Sequence, residues 1–179
     1  MSMNDQELAE KAAKYGDAQA LRTLLDRHYQ TIYKMAYRWC GHAEDAEDVA
    51  QEVCIKIARN IGEFRGTSAF TTWFYPIVLN TARDLFRTNS ARRTREASYV
   101  ETSELAAGAP PTQEDTAIHR EALAAVSELA DDLKSAILLV AGEGLSHKEA
   151  GNILGCAEGT VSWRIAKARE QLTRLLGEV

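Results

Sequence analysis

The chain has 179 residues, of which 45% are hydrophobic, and a net charge of −5. This length allows one domain or two small ones, and the apolar content is enough for hydrophobic cores, which excludes disorder throughout. No stretch approaches the roughly 18 apolar residues that cross a bilayer and the N-terminus has no apolar signal core, so we expect no membrane insertion and a cytoplasmic location.

Helix-forming residues dominate the sequence. Only three prolines and eleven glycines interrupt long stretches of alanine, leucine, glutamate and arginine, which lack the alternation typical of strands. The cysteines, Cys40, Cys54 and Cys156, are widely spaced and form no CxxC pair, so neither a disulfide framework nor a zinc ribbon is indicated. We predict an all-α protein in which the cysteines are small buried apolar residues.

Two amphipathic helices are predicted near the N-terminus, from apolar residues spaced by three and four. Their stripes are Leu21, Leu24, Leu25, Tyr29, Ile32, Tyr33 and Ala36, then Ala46, Val49, Ala50, Val53, Ile57 and Ile61. A break at Gly62 to Ser68 precedes a further helix, predicted to run to about Arg87. Pro76 lies about two turns into this helix and should kink it.

Charge is distributed unevenly along the chain. Residues 59–95 carry +5, whereas residues 96–132 carry −8. The stretch from Ala97 to Asp115 has no periodicity and includes Pro110 and Pro111, which predicts a flexible acidic linker over residues 96–115. The linker would separate an N-terminal domain, residues 1–95, from a C-terminal domain, residues 116–179. Both are predicted to be small helical domains.

The C-terminal sequence predicts a helix-turn-helix. Ser146 and Glu149 form a capping box at the start of one helix, and Gly155 lets that helix end. A second helix follows at once, with Val161, Ile165, Ala168 and Leu172 on its buried side. Its other side presents side chains that reach bases and phosphates when such a helix lies in a major groove: Thr160, Ser162, Trp163, Arg164, Lys167 and Arg169.

Two alternatives remain open for this segment. It is also compatible with a plain helical hairpin, or with a helix-turn-helix used only for protein contacts. Trp163 in particular could cover apolar surface at a domain interface as well as contact a base.

Polar and acidic residues line one face of the helix around residues 43–61: Glu44, Asp45, Asp48, Gln51 and Glu52. Such a face would complement a basic partner, although an ordinary solvated helix face is the simpler interpretation. A magnesium-dependent enzyme is a weaker alternative, because no opposing carboxylate or histidine cluster is evident. The sequence has no recognisable catalytic motif, and we expect no cofactor, no metal site and no enzymatic activity.

Three blocks of sequence resemble, in order, the short sigma factors of the extracytoplasmic function family. They are DAEDVAQEV (45–53), FRGTSAFTTWFYPIVLNTARDLFR (64–87) and the helix-turn-helix (144–169). The resemblance implies a factor that binds core RNA polymerase and directs promoter-specific initiation in response to stress or another signal, under control of an anti-sigma factor.

The resemblance also implies where partners bind. Core polymerase would bind Asp45, Asp48, Gln51 and Glu52. The loop from Phe64 to Phe70 and the next helix would open the minus 10 element and hold its melted non-template strand through Arg65, Ser68, Trp73, Asn80, Arg83 and Arg87. The recognition helix would bind the minus 35 element as duplex. Pro76, and Ala157 at a position where serine often caps, depart from the family pattern.

Other functional classes remain open from the sequence. One is a helix-turn-helix regulator that needs no polymerase, and another is an adaptor that mimics a sigma factor and sequesters its inhibitor. A metal-dependent nuclease is the third.

Overall fold

The computed structural model describes residues 3–97 and 117–177, with side-chain surroundings described up to residue 88 and again from residue 121. These residues form α-helices and no strand, which confirms the all-α prediction. Before the gap lie α1 (Asp5–Tyr15), α2 (Ala18–Cys40), α3 (Ala43–Asn60), a 3₁₀ turn (Ile61–Glu63) and α4 (Phe70–Ala97). After it lie α5 (Ala117–Ser127), α6 (Asp131–Ile137), a π-helical turn (Leu138–Gly142), α7 (His147–Leu154) and α8 (Glu158–Leu176).

Helix α1 was not predicted from the sequence, although its signals are present. The side chain of Asn4 accepts a hydrogen bond from the backbone N–H of Glu7, and the Glu7 carboxylate accepts one from the backbone N–H of Asn4. This capping box satisfies backbone donors at the helix start. At the other end Gly16 adopts a left-handed conformation with φ of 63°. The helix is short because these two signals lie only twelve residues apart.

Helices α2, α3 and α4 pack around one core. The largest buried side chains there include Trp39, Ile57 and Phe74. The predicted stripe of α3 is confirmed, since Ala46, Val49, Ala50, Val53 and Ile57 are all fully buried. Cys40 lies in this core, while Cys54 and Cys156 are half-buried, and all three are free thiols. Burial raises the pKa of the Cys54 thiol.

Helix α4 is longer than predicted. It continues ten residues past Arg87 and ends at Ala97. Pro76 lies inside the helix and does not end it. A proline has no backbone N–H, so the carbonyl of Thr72 loses its usual donor. The helix persists because its neighbours Phe74, Tyr75 and Val78 are buried, and their packing outweighs one missing hydrogen bond.

The predicted helix-turn-helix is confirmed as a fold. The capping box joins Ser146 and Glu149 at the start of α7, and Gly155 at its end has a φ of 65°. Ala157 precedes α8 without any side-chain cap, as its sequence implies. On the inner side of α8, Val161, Ile165 and Ala168 are buried, whereas Leu172 is only partly buried. The predicted linker lies outside the described residues from residue 98 onward.

The helices on either side of the gap also contact one another. Helix α5 packs against α2, and α7 packs against α4. None of the helices within residues 3–97 and 117–177 is long and apolar enough to cross a membrane.

Gly151 on α7 provides a test of how tightly the helix-turn-helix is packed. A Cβ atom there would lie 2.7 Å from the backbone oxygen of Cys156, which the turn cannot move. Gly151→Ala should therefore destabilise the fold by about 1–3 kcal/mol in chemical denaturation. Gly159→Ala is the matched control, since nothing lies within 4 Å of its Cβ position. Equal stability of the two variants would contradict this packing.

Candidate functional site

An acidic face runs along the outside of α3. Because the apolar stripe turns inward, the side chains of Glu44, Glu47, Asp48 and Gln51 are exposed, and Glu52 is partly exposed. The face carries carboxylates at successive turns of one helix. Such a surface favours a basic partner.

Asp45 does not belong to this face. Its side chain was predicted to lie beside Asp48, but the residue is only 4% exposed and lies in the first turn of α3. A carboxylate at this end of a helix is stabilised by the partial positive charge of the free backbone N–H groups. Asp45 is therefore a buried residue at the start of α3. Asp48, Gln51 and Glu52 remain on the accessible surface.

The loop before α4 is held by α1. Gln6 Nε2 donates a hydrogen bond of 2.9 Å to the backbone oxygen of Gly66, and it lies 3.3 Å from Oε1 of Glu10. Gly66 has a φ of 72°, a conformation in which glycine is favoured. Next to it, Arg65 is exposed and Ser68 is partly exposed. Helix α1 thus positions a loop that bears two of the predicted DNA-binding residues.

Trp73 joins this loop to α4. Its ring stacks on Phe70 with centroids 5.9 Å apart, and it meets the edge of Phe64 at 5.8 Å. Both phenylalanines are buried, whereas Trp73 is partly exposed. The indole therefore contributes to the packing of the loop and also forms part of its outer surface.

Polar side chains continue along α4. Asn80, Asp84 and Arg87 are exposed at the spacings that place them on one side of the helix. Arg83 differs, because it is half-buried and is directed toward α6. Its Nε lies 3.3 Å from Oδ2 of Asp131, and its Nη1 lies 3.4 Å from the Asn80 side-chain oxygen.

The outer side of α8 carries the residues predicted for duplex DNA. Thr160, Ser162, Trp163 and Arg169 are exposed. Lys167 pairs with Glu170 at 2.8 Å, and Arg164 pairs with Asp132 of α6 at 3.4 Å. Lys167 is therefore ion-paired within α8 itself, while Arg164 is held against the preceding helices.

His147 is a site residue that the sequence analysis missed. Its Nδ1 lies 2.8 Å from the Ser162 hydroxyl, which also donates a hydrogen bond to the backbone oxygen of Glu158. The two residues are fifteen positions apart, so only the turn between α7 and α8 brings them together. His147 thereby restricts the rotamer of Ser162 on the outer face of α8.

Trp163 is 60% exposed. A tryptophan that covered apolar surface between the helical units would be largely buried. The exposure of Trp163 therefore argues against that interpretation. Large exposed aromatic side chains are typical of binding surfaces.

Comparisons with known proteins identify the family to which this chain belongs. Residues 24–92 match the model of sigma-70 region 2, and residues 119–172 match the model of sigma-70 region 4. The RNA polymerase sigma-H factor of Pseudomonas aeruginosa is 33% identical over 96% of this chain and 93% of that protein. The ECF RNA polymerase sigma-E factor of Haemophilus influenzae is 34% identical over 95% of this chain and 94% of that protein.

Solved structures show the same fold. CnrH in complex with the cytosolic domain of CnrY matches with a TM-score of 0.70 and 27% identity over 96% of both chains. The sigma factor RpoE of Bartonella quintana, solved with the anti-sigma factor NepR, matches with a TM-score of 0.70 and 24% identity. That match covers 89% of this chain and 98% of the other.

The chain belongs to the extracytoplasmic function group of sigma-70 factors. Sigma factors are non-enzymatic initiation subunits, which bind core RNA polymerase and direct it to promoter DNA. The functional prediction from the sequence is therefore confirmed at this level. The matches to both sigma-70 regions favour a sigma factor over a regulator that needs no polymerase.

Gly66 tests how strictly the loop before α4 depends on a residue with left-handed backbone conformation. Gly66→Ala forces a left-handed alanine, which costs about 1–2 kcal/mol, and its Cβ would lie 2.8 Å from Oε1 of Glu10. We expect faster hydrogen exchange across residues 61–69 in this variant. Gly62→Ala is the control within the same segment, because nothing lies within 4 Å of its Cβ position. The same exchange rates in both variants would refute the dependence of this loop on the left-handed Gly66.

Proposed function

We propose that this sigma factor binds core polymerase and the two promoter elements through three separate surfaces. Asp48, Gln51 and Glu52 on α3 bind core polymerase. The loop with Arg65 and Ser68, together with Trp73, Asn80, Arg83 and Arg87 on α4, opens the minus 10 element and holds its melted strand. The outer face of α8 binds the minus 35 element as duplex. The proposal rests on the outer surface of α4 and on the loop before it, which a hydrogen bond from Gln6 holds in place. Aromatic, amide and cationic side chains are exposed or partly exposed on this surface.

The chemistry of that surface fits a single strand. Bases that leave the duplex stack on aromatic rings, and cations hold the phosphates beside them. Trp73 presents part of an indole next to a loop whose backbone is held by Gln6. Extruding a base costs a few kcal/mol, so a loop that is already ordered lowers the total cost of capture. Asn80 supplies an amide that can bond a base edge.

The surface of α8 fits duplex DNA. Helix α7 crosses behind it, so the N-terminal half of α8 can enter a major groove. Ser162 and Trp163 lie where they would meet base edges, with Thr160 beside them. Arg169 and Lys167 lie farther along the helix and would contact phosphates. Arg164 must leave Asp132 before it can do the same.

The proposal extends to the regulation of the protein and its cellular location. The sigma factor RpoE was solved with the anti-sigma factor NepR, and this chain shares its fold. We assign to this chain an anti-sigma factor that holds it inactive until a stress or other signal arrives. The protein acts in the cytoplasm, needs no cofactor and catalyses no reaction itself. The acidic segment of residues 96–115 joins the two DNA-binding units.

The acidic face of α3 is tested by charge reversal. Asp48→Arg with Glu52→Arg would set like charges against a basic partner, so affinity for core polymerase should fall at least about a hundredfold. The control is Asp26→Arg with Glu121→Arg, which reverses two exposed carboxylates on α2 and α5. Binding is measured with purified core enzyme, and circular dichroism checks the fold. Polymerase binding that survives in the α3 variant would remove this surface from the proposal.

Trp163 is tested by truncation. Because its side chain is 60% exposed, Trp163→Ala should change the stability by no more than about 0.5 kcal/mol. Binding of the polymerase complex to duplex containing the minus 35 element should weaken about tenfold or more. Leu175→Ala is the control, since Leu175 is 51% exposed near the other end of α8. A loss of stability with no loss of duplex binding would assign Trp163 to the fold instead.

A further inference from the structure

Two hydrogen bonds hold the Ser162 hydroxyl on the outer face of α8. His147 is the first residue of α7, and its Nδ1 lies 2.8 Å from the hydroxyl oxygen of Ser162. That hydroxyl also donates a hydrogen bond of 3.1 Å to the backbone oxygen of Glu158, one turn earlier in α8. Ser162 is nevertheless exposed, so the residue has two partners within the protein and is still accessible to a ligand.

The backbone fixes both ends of this contact. At the start of α7 the backbone N–H of Ser146 donates a hydrogen bond of 2.8 Å to Oε2 of Glu149, which sets the position of the residue that follows. The turn to α8 packs closely against α7, since a Cβ atom on Gly151 would lie 2.7 Å from the backbone oxygen of Cys156. The rotamer of Ser162 is therefore set before DNA arrives, which lowers the entropy cost of a contact with a base.

The single hydrogen of the Ser162 hydroxyl is used within the protein. A serine hydroxyl has one hydrogen to donate and two lone pairs that accept. The bond to Glu158 takes that hydrogen, so the short contact with His147 requires the imidazole to donate. With the other imidazole tautomer, the hydrogen goes to Nδ1 of His147 in place of Glu158. In both cases a lone pair of the oxygen remains, and Ser162 faces a ligand as an acceptor only.

An acceptor at this position distinguishes the four bases. In the major groove adenine and cytosine each present an amino group, whereas guanine and thymine present acceptors without one. A serine hydroxyl that rotates freely can bond either kind, because it can donate or accept. The cations farther along α8, Lys167 and Arg169, would contact phosphates, which carry no sequence information. The direction of the Ser162 hydroxyl therefore bears on sequence preference in a way that the cations do not.

We infer that His147 is a positioning residue that holds Ser162 as a hydrogen-bond acceptor, so that Ser162 selects adenine or cytosine at one position of the minus 35 element. This inference rests on the proposed function of α8. A guanine or thymine at that position would meet a lone pair of Ser162, and the hydroxyl can donate to it only by giving up a bond within the protein. The loss of one such hydrogen bond corresponds to roughly a fivefold loss of affinity.

The base preference at each position is measured by selection. The full-length protein with core polymerase is offered duplexes with random sequence in place of both promoter elements, and the bound fraction is sequenced. Ser162→Ala identifies the position that Ser162 reads, because it removes the preference there. His147→Ala removes the imidazole, whereas His147→Asn keeps an amide near the place of Nδ1. Asn152→Ala, at an exposed position of α7, is the control.

We expect the position identified by Ser162→Ala to favour adenine or cytosine about fivefold in the wild type. His147→Ala should reduce this preference at least about twofold at that position alone, because the released hydroxyl can also donate to guanine or thymine. His147→Asn should restore the preference, and Asn152→Ala should leave it unchanged. A variant that had only lost stability would bind all sequences more weakly, without a change at one position.

A base analogue tests the amino group itself. At the identified position adenine is replaced by purine, or cytosine by its analogue without the amino group. The wild type should lose about fivefold more affinity on this replacement than Ser162→Ala does, since the variant has no acceptor for the amino group. The inference is overturned by a preference for guanine or thymine, by an unchanged base profile in Ser162→Ala or His147→Ala, or by equal analogue effects in the two proteins.

These outcomes are separable from the proposed function. If the wild-type chain with core polymerase enriches no sequence, the proposed function itself fails. If it enriches defined promoter elements but the base profile is independent of Ser162 and His147, only the inference about these two residues is rejected.

Discussion

Helix α4 is the element on which the other parts of the molecule depend, because one side of it packs in the core while the other side is exposed to solvent. Its inner side buries Phe74, Val78 and Ala82 against α2 and α3. That packing fixes the rotation of the helix and therefore decides which side chains point outward. Asn80 and Arg83 are outward for this reason, and so is the part of Trp73 that the loop leaves uncovered.

The same packing separates the surfaces of the protein. Helix α3 also uses one side for the core, and most of its carboxylates are left on the solvent-exposed side. A partner that binds the exposed side of α3 therefore uses a different surface from one that binds the outer side of α4.

Local signals made much of the fold predictable. The capping box at Ser146, the left-handed Gly155 and the stripe from Ala46 to Ile57 each depend on neighbours within a turn or two, and each was predicted. The end of α4 was placed too early, because no glycine or proline marks Ala97. Helix α1 was overlooked although Asn4, Glu7 and Gly16 mark both its ends.

Contacts between distant residues could not be predicted in this way. Asp45 fits an acidic stripe in sequence, yet its burial depends on how α3 packs at its first turn. Likewise, Ile153 and Leu154 fit the interior of a helix-turn-helix, but their partly exposed sides meet α4. The pairing of Arg83 with Asp131 joins residues 48 positions apart, across a segment whose sequence carries no pairing signal.

The most direct test of this account places a photo-cross-linking amino acid at position 80, on the outer side of α4. In the free chain the cross-links should fall on α7, at residues 153 and 154. In the complex of polymerase with a promoter they should move to the non-template strand of the minus 10 element. Cross-links that remain on α7 in that complex, or that never form there in the free chain, would contradict it.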